Sequence, residues 1–479
     1  MTHHQHSNLT RRSLLKSSAA MALQRHMSIG IPMATSLGLM ADAAAQSAND
    51  YKALVCIFLF GANDHYNTVI PYDIPTHTNY YNIRKGTPTP GTVYDGIAIG
   101  RNSLSETALS TTLSGGRQMA LNPEMSALKT LFENKRASIL MNVGPLVAPT
   151  TRLQYDNKSV PLPPKLFSHN DQQAYWQSSF QAEGGATGWG GRAADLLLSN
   201  NNKSTLTCIS INGNALFLSG QNAISYQMSS TGATTVNAIK GKSLFGSANC
   251  ATALQTLITQ PSSLPMASDY TTVTKRALDT YDGIVAAIGA TPSASMNALF
   301  PSSATNTLSA QLKMVARMIE QQTTFGVKRQ VFMVGMGGFD LHDFLPTQHP
   351  ALLQKLSTAM KEFDDAMTSI GKGPQVTAFT ASDFGRTLSS NGDGSDHGWG
   401  SHHFVSGGAV NGGQFLGTAP EIGLTHNQQV GSGRLLPSTS IDQLGAELAA
   451  WFGVSATDVK TVLPNARNFD LYKLGIFKG

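Results

Sequence analysis

The chain has 479 residues, 41% of them apolar and 13% charged, and a formal charge of +5. Residues 1–45 contribute Arg11, Arg12, Lys16 and Arg25 against Asp42, so the remaining 434 residues carry only about +2, which excludes an electrostatic argument for nucleic acid or an anionic membrane surface. No run of about 18 apolar residues follows Met40, which excludes a transmembrane helix in the mature chain.

The N-terminal segment contains "TRRSLLK" (Thr10–Lys16), an apolar stretch from Met27 to Met40, and small residues at Ala41–Ala45. It is similar to a twin-arginine signal peptide over residues 1–45, in which Arg11 and Arg12 are read by the twin-arginine export machinery. The expectation is a periplasmic or secreted protein whose mature part is residues 46–479. Cys56, Cys208 and Cys250 lack metal-ligand spacing and allow at most one disulfide, which would join Cys208 to Cys250. Cys56 lies within an apolar run and is expected to be buried and inert.

That run, "ALVCIFLF" (Ala53–Phe60), reads as a strand buried on both faces. Similar runs occur at 137–144, 205–213, 329–337 and 375–385. Helical patterns occupy 125–135, 308–323 and 350–367, the last with apolar positions at Leu352, Leu353, Leu356, Met360, Phe363 and Met367. Strands alternating with helices predict a doubly wound α/β fold, with a mostly parallel central sheet flanked by helices. Residues 214–307 are rich in Ser, Thr, Ala, Asn and Gly, and read as an insertion or cap beside that core.

In open α/β sheets, ligands gather beyond the carboxyl ends of the strands. Three motifs sit there. "LFGANDHYNT" supplies Asn63, Asp64, His65 and Asn67; "MGGFDLHDF" supplies Asp340, His342 and Asp343; "ASDFGRTLSSNGDGSDHGWGSHHF" supplies Asp383, Arg386, Asp396, His397, His402 and His403. Each histidine alone has a structural reading as a surface or core residue. His342 and His397, each within two residues of an aspartate in a glycine-containing loop, read better as ligands. Adjacent His402 and His403 point opposite ways in extended chain, so at most one can face a site. Mixed Asp and His donors suit Zn²⁺ or Mn²⁺, or with more oxygen Mg²⁺ or Ca²⁺.

A fourth stretch, "LFSHNDQQAYW" (Leu166–Trp176), places Ser168 and His169 at a predicted helix start. Ser168 reads either as an N-cap or as a nucleophile at a helix N-terminus that stabilises an anion.

In this order, behind a twin-arginine leader, these motifs resemble the exported proteins grouped as the DUF1501 family, related to the alkaline phosphatase and sulfatase superfamily. The resemblance spans about residues 50–475. It implies an alkaline-phosphatase-like fold and a hydrolase of phosphate or sulfate esters, small or polymeric, using one or two divalent metal ions. Residue by residue, it implies Asp340, His342 and His397 at one metal, Asp64 and Asp383 at a second, and Ser168 as the nucleophile. Phe384 stands where the superfamily has a histidine ligand. Either Asp64, Asp383 and a neighbour such as Asn63 hold a harder ion, or one site is gone. Arg386 then reads as an oxyanion clamp or as one half of a surface salt bridge. Two rival readings are a non-catalytic, metal-stabilised binding or assembly protein of the cell envelope, and an accessory factor in polymer processing.

Overall fold

The apolar run at Ala53–Phe60 becomes the middle of a ten-stranded sheet in the computed structural model, which describes residues 50–86, 96–180, 186–234, 236–241, 243–289 and 291–479. The expected export signal lies outside the described residues. In chain order the strands are β1 (Lys52–Leu59), β2 (Ala137–Gly144), β3 (Cys208–Ser210), β4 (Tyr226–Ser229), β5 (Gly232–Ala233), β6 (Arg329–Met336), β7 (Val376–Ser382), β8 (Ser401–Gly407), β9 (Phe415–Leu416) and β10 (Thr439–Ser440). Across the sheet they run β9-β2-β8-β7-β1-β6-β3-β4-β5, with β10 also paired to β2. β7, β1, β6, β3 and β4 are mutually parallel. β8 is antiparallel to both its neighbours, and β5 to β4.

Five helices cover the sheet or border its carboxyl edge: α1 (Ile74–Arg84), α2 (His169–Ser178), α3 (Thr307–Glu320), α4 (Leu345–Ser369) and α5 (Ile441–Phe452). Alternation along β1 sends Ala53, Val55, Ile57 and Leu59 to one face, among Leu312 of α3 and Leu353, Leu356 and Phe363 of α4. Leu54, Cys56 and Phe58 go to the other, among Leu444, Leu448 and Phe452 of α5. Each large apolar side chain so buried contributes about 1.5–3 kcal/mol, and the two layers hold the sheet between them. This is the doubly wound α/β arrangement the alternating pattern predicts.

Three details differ from the sequence reading. The strand expected over 205–213 shortens to β3, because Ser204–Leu206 closes a tight 3-10 turn. Helix α4 begins five residues before Pro350, with Pro346 in its first turn, where no N–H is needed. Cys208 is buried in β3 while Cys250 is exposed, and both are free, so the expected pair is not formed. Residues 214–307 contain helices Ala248–Thr259 and Pro265–Ile288. Among the described residues, no helix is long and apolar enough to cross a membrane.

The register explains why distant motifs meet. Leu59 pairs with Met336 on one side and Ser382 on the other, so the chain leaves β1, β6 and β7 at one level of the carboxyl edge. Beyond it, the Phe60 N–H donates to Met336 O at 2.9 Å, and the Asn63 N–H to Ser382 Oγ at 3.0 Å.

β8 carries His402 and His403 into the interior, at 2% and 1% exposure. Burial pushes both down to about 3, and it pushes His349, paired through Nε2 with Asn63 Oδ1, down to about 4. All three are therefore neutral in the fold and become protonated on unfolding below about pH 6.5. The stability they confer is complete above that value and is lost as pH falls toward 3–4. At pH 5 each accounts for about 2 kcal/mol of loss. Burial lowers His65 in the same sense, so the metal-free protein is expected to melt at a much lower temperature at pH 5 than at pH 7, with His403→Phe removing about a quarter of the difference. Equal melting temperatures at the two pH values would contradict this.

Candidate metal centre

Four side chains, from two segments that follow central strands and from one helix start, converge at the carboxyl edge. Asp340 and His342 follow β6. His397 ends a short strand, Ser395–His397, paired antiparallel with Arg386–Ser390 so that His397 lies opposite Arg386. His169 opens α2. His397 Nε2 lies 3.1 Å from His169 Nε2 and 2.9 Å from His342 Nε2. Asp340 oxygens lie 3.4 Å from His169 Nε2, 3.2 Å from His342 Nε2 and 3.5 Å from His397 Nε2. Donors about 2.0–2.1 Å from a tetrahedral zinc ion stand about 3.3 Å apart, and these separations bracket that value. His169, Asp340 and His397 each place one donor within 4.8 Å of the others.

The outer ring nitrogens are held by oxygen. Asp383 Oδ2 accepts from His169 Nδ1 at 2.6 Å, and also from the Gly61 N–H and Gln173 Nε2. His397 Nδ1 donates to Phe167 O at 2.7 Å. His342 Nδ1 faces Asp396 Oδ1 at 3.4 Å. His169 and His397 therefore keep the proton on Nδ1 and turn Nε2 inward, the arrangement seen around metal-bound histidines, and His342 also places Nε2 inward. Three ring nitrogens and a carboxylate then meet with Arg386 at their edge, bonded to Asp340 and with Nη1 3.4 Å from His342 Nε2. One shared proton can satisfy two of the nitrogens, whereas a divalent cation would satisfy His169, Asp340 and His397 together.

The protein maintains this arrangement at some local cost. Phe167 takes a left-handed φ of 72°, which aims its carbonyl at His397. Arg434 lies over the Phe167 ring, 5.5 Å from its centre, and donates from Nε to His397 O. Phe384 is buried, its ring centre 4.8 Å from that of His169 and 4.9 Å from that of His397, and closes one side with an apolar wall. The hydrogen bond to Asp383 raises the pKa of His169. Burial, followed by the Arg386 charge, lowers that of His397 against the bond to Phe167 O. Burial works to raise the Asp340 carboxyl, but Arg386 beside it holds it below the usual range.

Asp340, His342 and His397 lie together at this edge. His169, whose neighbour Ser168 draws the attention in the sequence, joins them; its signal is the helix start, which projects a first-turn side chain outward. Asp383 stands one step behind, orienting His169.

Asp64 is a correction. Its carboxylate is buried, ion-paired with Arg84, accepts the N–H groups of Tyr66 and Asn67, and has Ser395 Oγ at 3.4 Å. It caps the turn His65–Asn67 and is committed to these partners. Arg386 is a second correction, being neither a free oxyanion clamp nor a surface ion pair. It is fully buried and bonded to Ala62 O, Ser395 O, Gly61 O, Phe339 O and Asp340. Ser168 occupies the N-cap of α2, but its hydroxyl accepts no backbone N–H there and instead donates to Asp171 Oδ2 at 2.5 Å. Neither His402 nor His403 enters the cluster: the first accepts from the Asn142 N–H, and the second packs on Trp176.

A family model described as "Protein of unknown function (DUF1501)" matches residues 51–462. Among curated proteins, none matches the chain. Solved structures similar to it include Ps i-CgsB in complex with k-i-k-neocarrahexaose, at 8% identity and a TM-score of 0.34 over 86% of this chain and 74% of that one. The PsFucS1 sulfatase from Pseudoalteromonas sp. gives 10% identity and 0.34 over 94% and 78%. A variant of the alkaline phosphatase PafA gives 11% and 0.30 over 71% and 64%.

Proposed function

The chain belongs to the DUF1501 family, and from the chemistry of its four-donor cluster we propose that it is an exported, metal-dependent hydrolase of phosphate or sulfate esters. The observation that carries this reading is the inward convergence of Nε2 of His169, His342 and His397 on Asp340. His169, His342, His397 and Asp340 would hold a divalent ion such as Zn²⁺ or Mn²⁺. When bound, such an ion polarises an ester oxygen and offsets the charge that develops there. Asp383 and Phe167 O fix the rings of His169 and His397, and Asp396 stands beside that of His342. Ser168, at the N-terminus of α2 and next in sequence to His169, is the nucleophile, and Asp171 accepts its proton. Export follows from Thr10–Lys16. Replacing Arg11 and Arg12 by lysine is expected to leave the protein in the cytoplasm, and an unchanged periplasmic yield would remove this part of the proposal.

One observation favours a second reading, a non-catalytic metal-stabilised protein of the cell envelope: Arg386 is fully occupied by protein oxygens and cannot also clamp an oxyanion. Metal-loaded protein assayed against phosphate and sulfate monoesters separates the two. Turnover that Ser168→Ala lowers by at least about 100-fold supports the hydrolase. Bound metal without turnover supports the second reading.

A further inference from the structure

Resting on the metal-dependent reading above, we propose that the centre takes a single divalent ion and that the Arg386 guanidinium fills the place of a second. Its surroundings are mostly those of a hard cation: Gly61 O at 2.6 Å, Ala62 O and Ser395 O each at 2.9 Å, Phe339 O at 3.2 Å and an Asp340 oxygen, with His342 Nε2 farther off at 3.4 Å. Asp340 bridges the two positive positions, with Oδ1 on Arg386 and near His342 and His397, and Oδ2 toward His169. A carboxylate shared in this way usually joins two metal ions; here one partner is a side chain.

The donors a second ion would need are committed elsewhere. Asp64 is paired with Arg84, and Phe384, at the position where the resemblance implies a histidine, presents a ring with no donor atom. Asp383 Oδ1 has no hydrogen-bond partner, but its other oxygen is taken by three donors, and one oxygen does not make a site. The charges agree. Asp340, Asp383 and Asp396 are balanced by Arg386 and one divalent ion, whereas a second divalent ion would leave uncompensated positive charge beside a buried guanidinium. Fixing one of the two charges in the chain leaves the other as the only one that metal supply or chelation can change.

The test is a count. Full-length protein stripped with chelator, titrated with Zn²⁺ and freed of excess by gel filtration, should hold one equivalent per chain. The Mn²⁺ form should give the electron paramagnetic resonance spectrum of isolated ions without exchange coupling. Asp383→Asn should keep one equivalent, bound about 10–100-fold more weakly, because it only orients His169. Two equivalents, or coupled Mn²⁺ pairs, would overturn the single-ion assignment while leaving the metal-dependent reading intact. No equivalents would overturn both.

Discussion

His397→Ala is expected to lower zinc affinity by at least about 100-fold, more than the loss of an outer-shell partner costs, and to abolish any ester turnover of the loaded protein. His397 Nε2 is the common neighbour of His169 Nε2, His342 Nε2 and Asp340, so its removal takes a donor from the middle of the set. The same change should not destabilise the metal-free protein by more than about 1 kcal/mol, because an inward ring nitrogen crowded by two others is removed with it. Equilibrium dialysis with zinc, together with urea unfolding of the metal-free form, reads both quantities. Full zinc affinity in the variant would mean that the cluster is not the metal centre.

Asp64→Asn should behave in the opposite way, costing about 3–5 kcal/mol of stability while leaving the bound metal unchanged. The reason is a buried ion pair broken on one side. Arg84 is fully buried between the rings of Tyr66 and Tyr80, with two further bonds to Thr387 O and Leu388 O, and it cannot move out to water when its carboxylate is neutralised. Urea unfolding and metal analysis of one preparation give both numbers. Loss of metal at unchanged stability would restore the ligand role that the motif "GAND" implies.

The contrast between these two aspartate and histidine positions shows what the sequence reveals. Continuous apolar runs mark β1, β2, β6 and β7 to within a few residues, because a strand buried on both faces has no polar positions to blur its ends. The post-strand loops carrying Asp340, His342 and His397 follow from that placement. Side-chain direction does not. Whether Asp64 faces the crevice or the loop interior depends on Arg84, twenty positions away on α1, and no local pattern announces that partner. Arg386 reads as a clamp because guanidinium suits oxyanions; only the folded loops supply the carbonyls that consume it. His402 and His403 read as part of a ligand-rich loop, yet β8 threads between β2 and β7 and buries both. His169 illustrates the converse, since a histidine at a helix start is an ordinary sequence feature until Asp383 is seen behind it.

The central claim is that three imidazoles and one carboxylate bind one divalent cation, and zinc K-edge X-ray absorption on the loaded protein tests it most directly. The account predicts a first shell of nitrogen and oxygen only, about four donors at about 2.0–2.1 Å, with the outer-shell scattering of about three imidazole rings. A shell of water and carboxylate oxygens with one imidazole or none would place the metal elsewhere on the protein and contradict it.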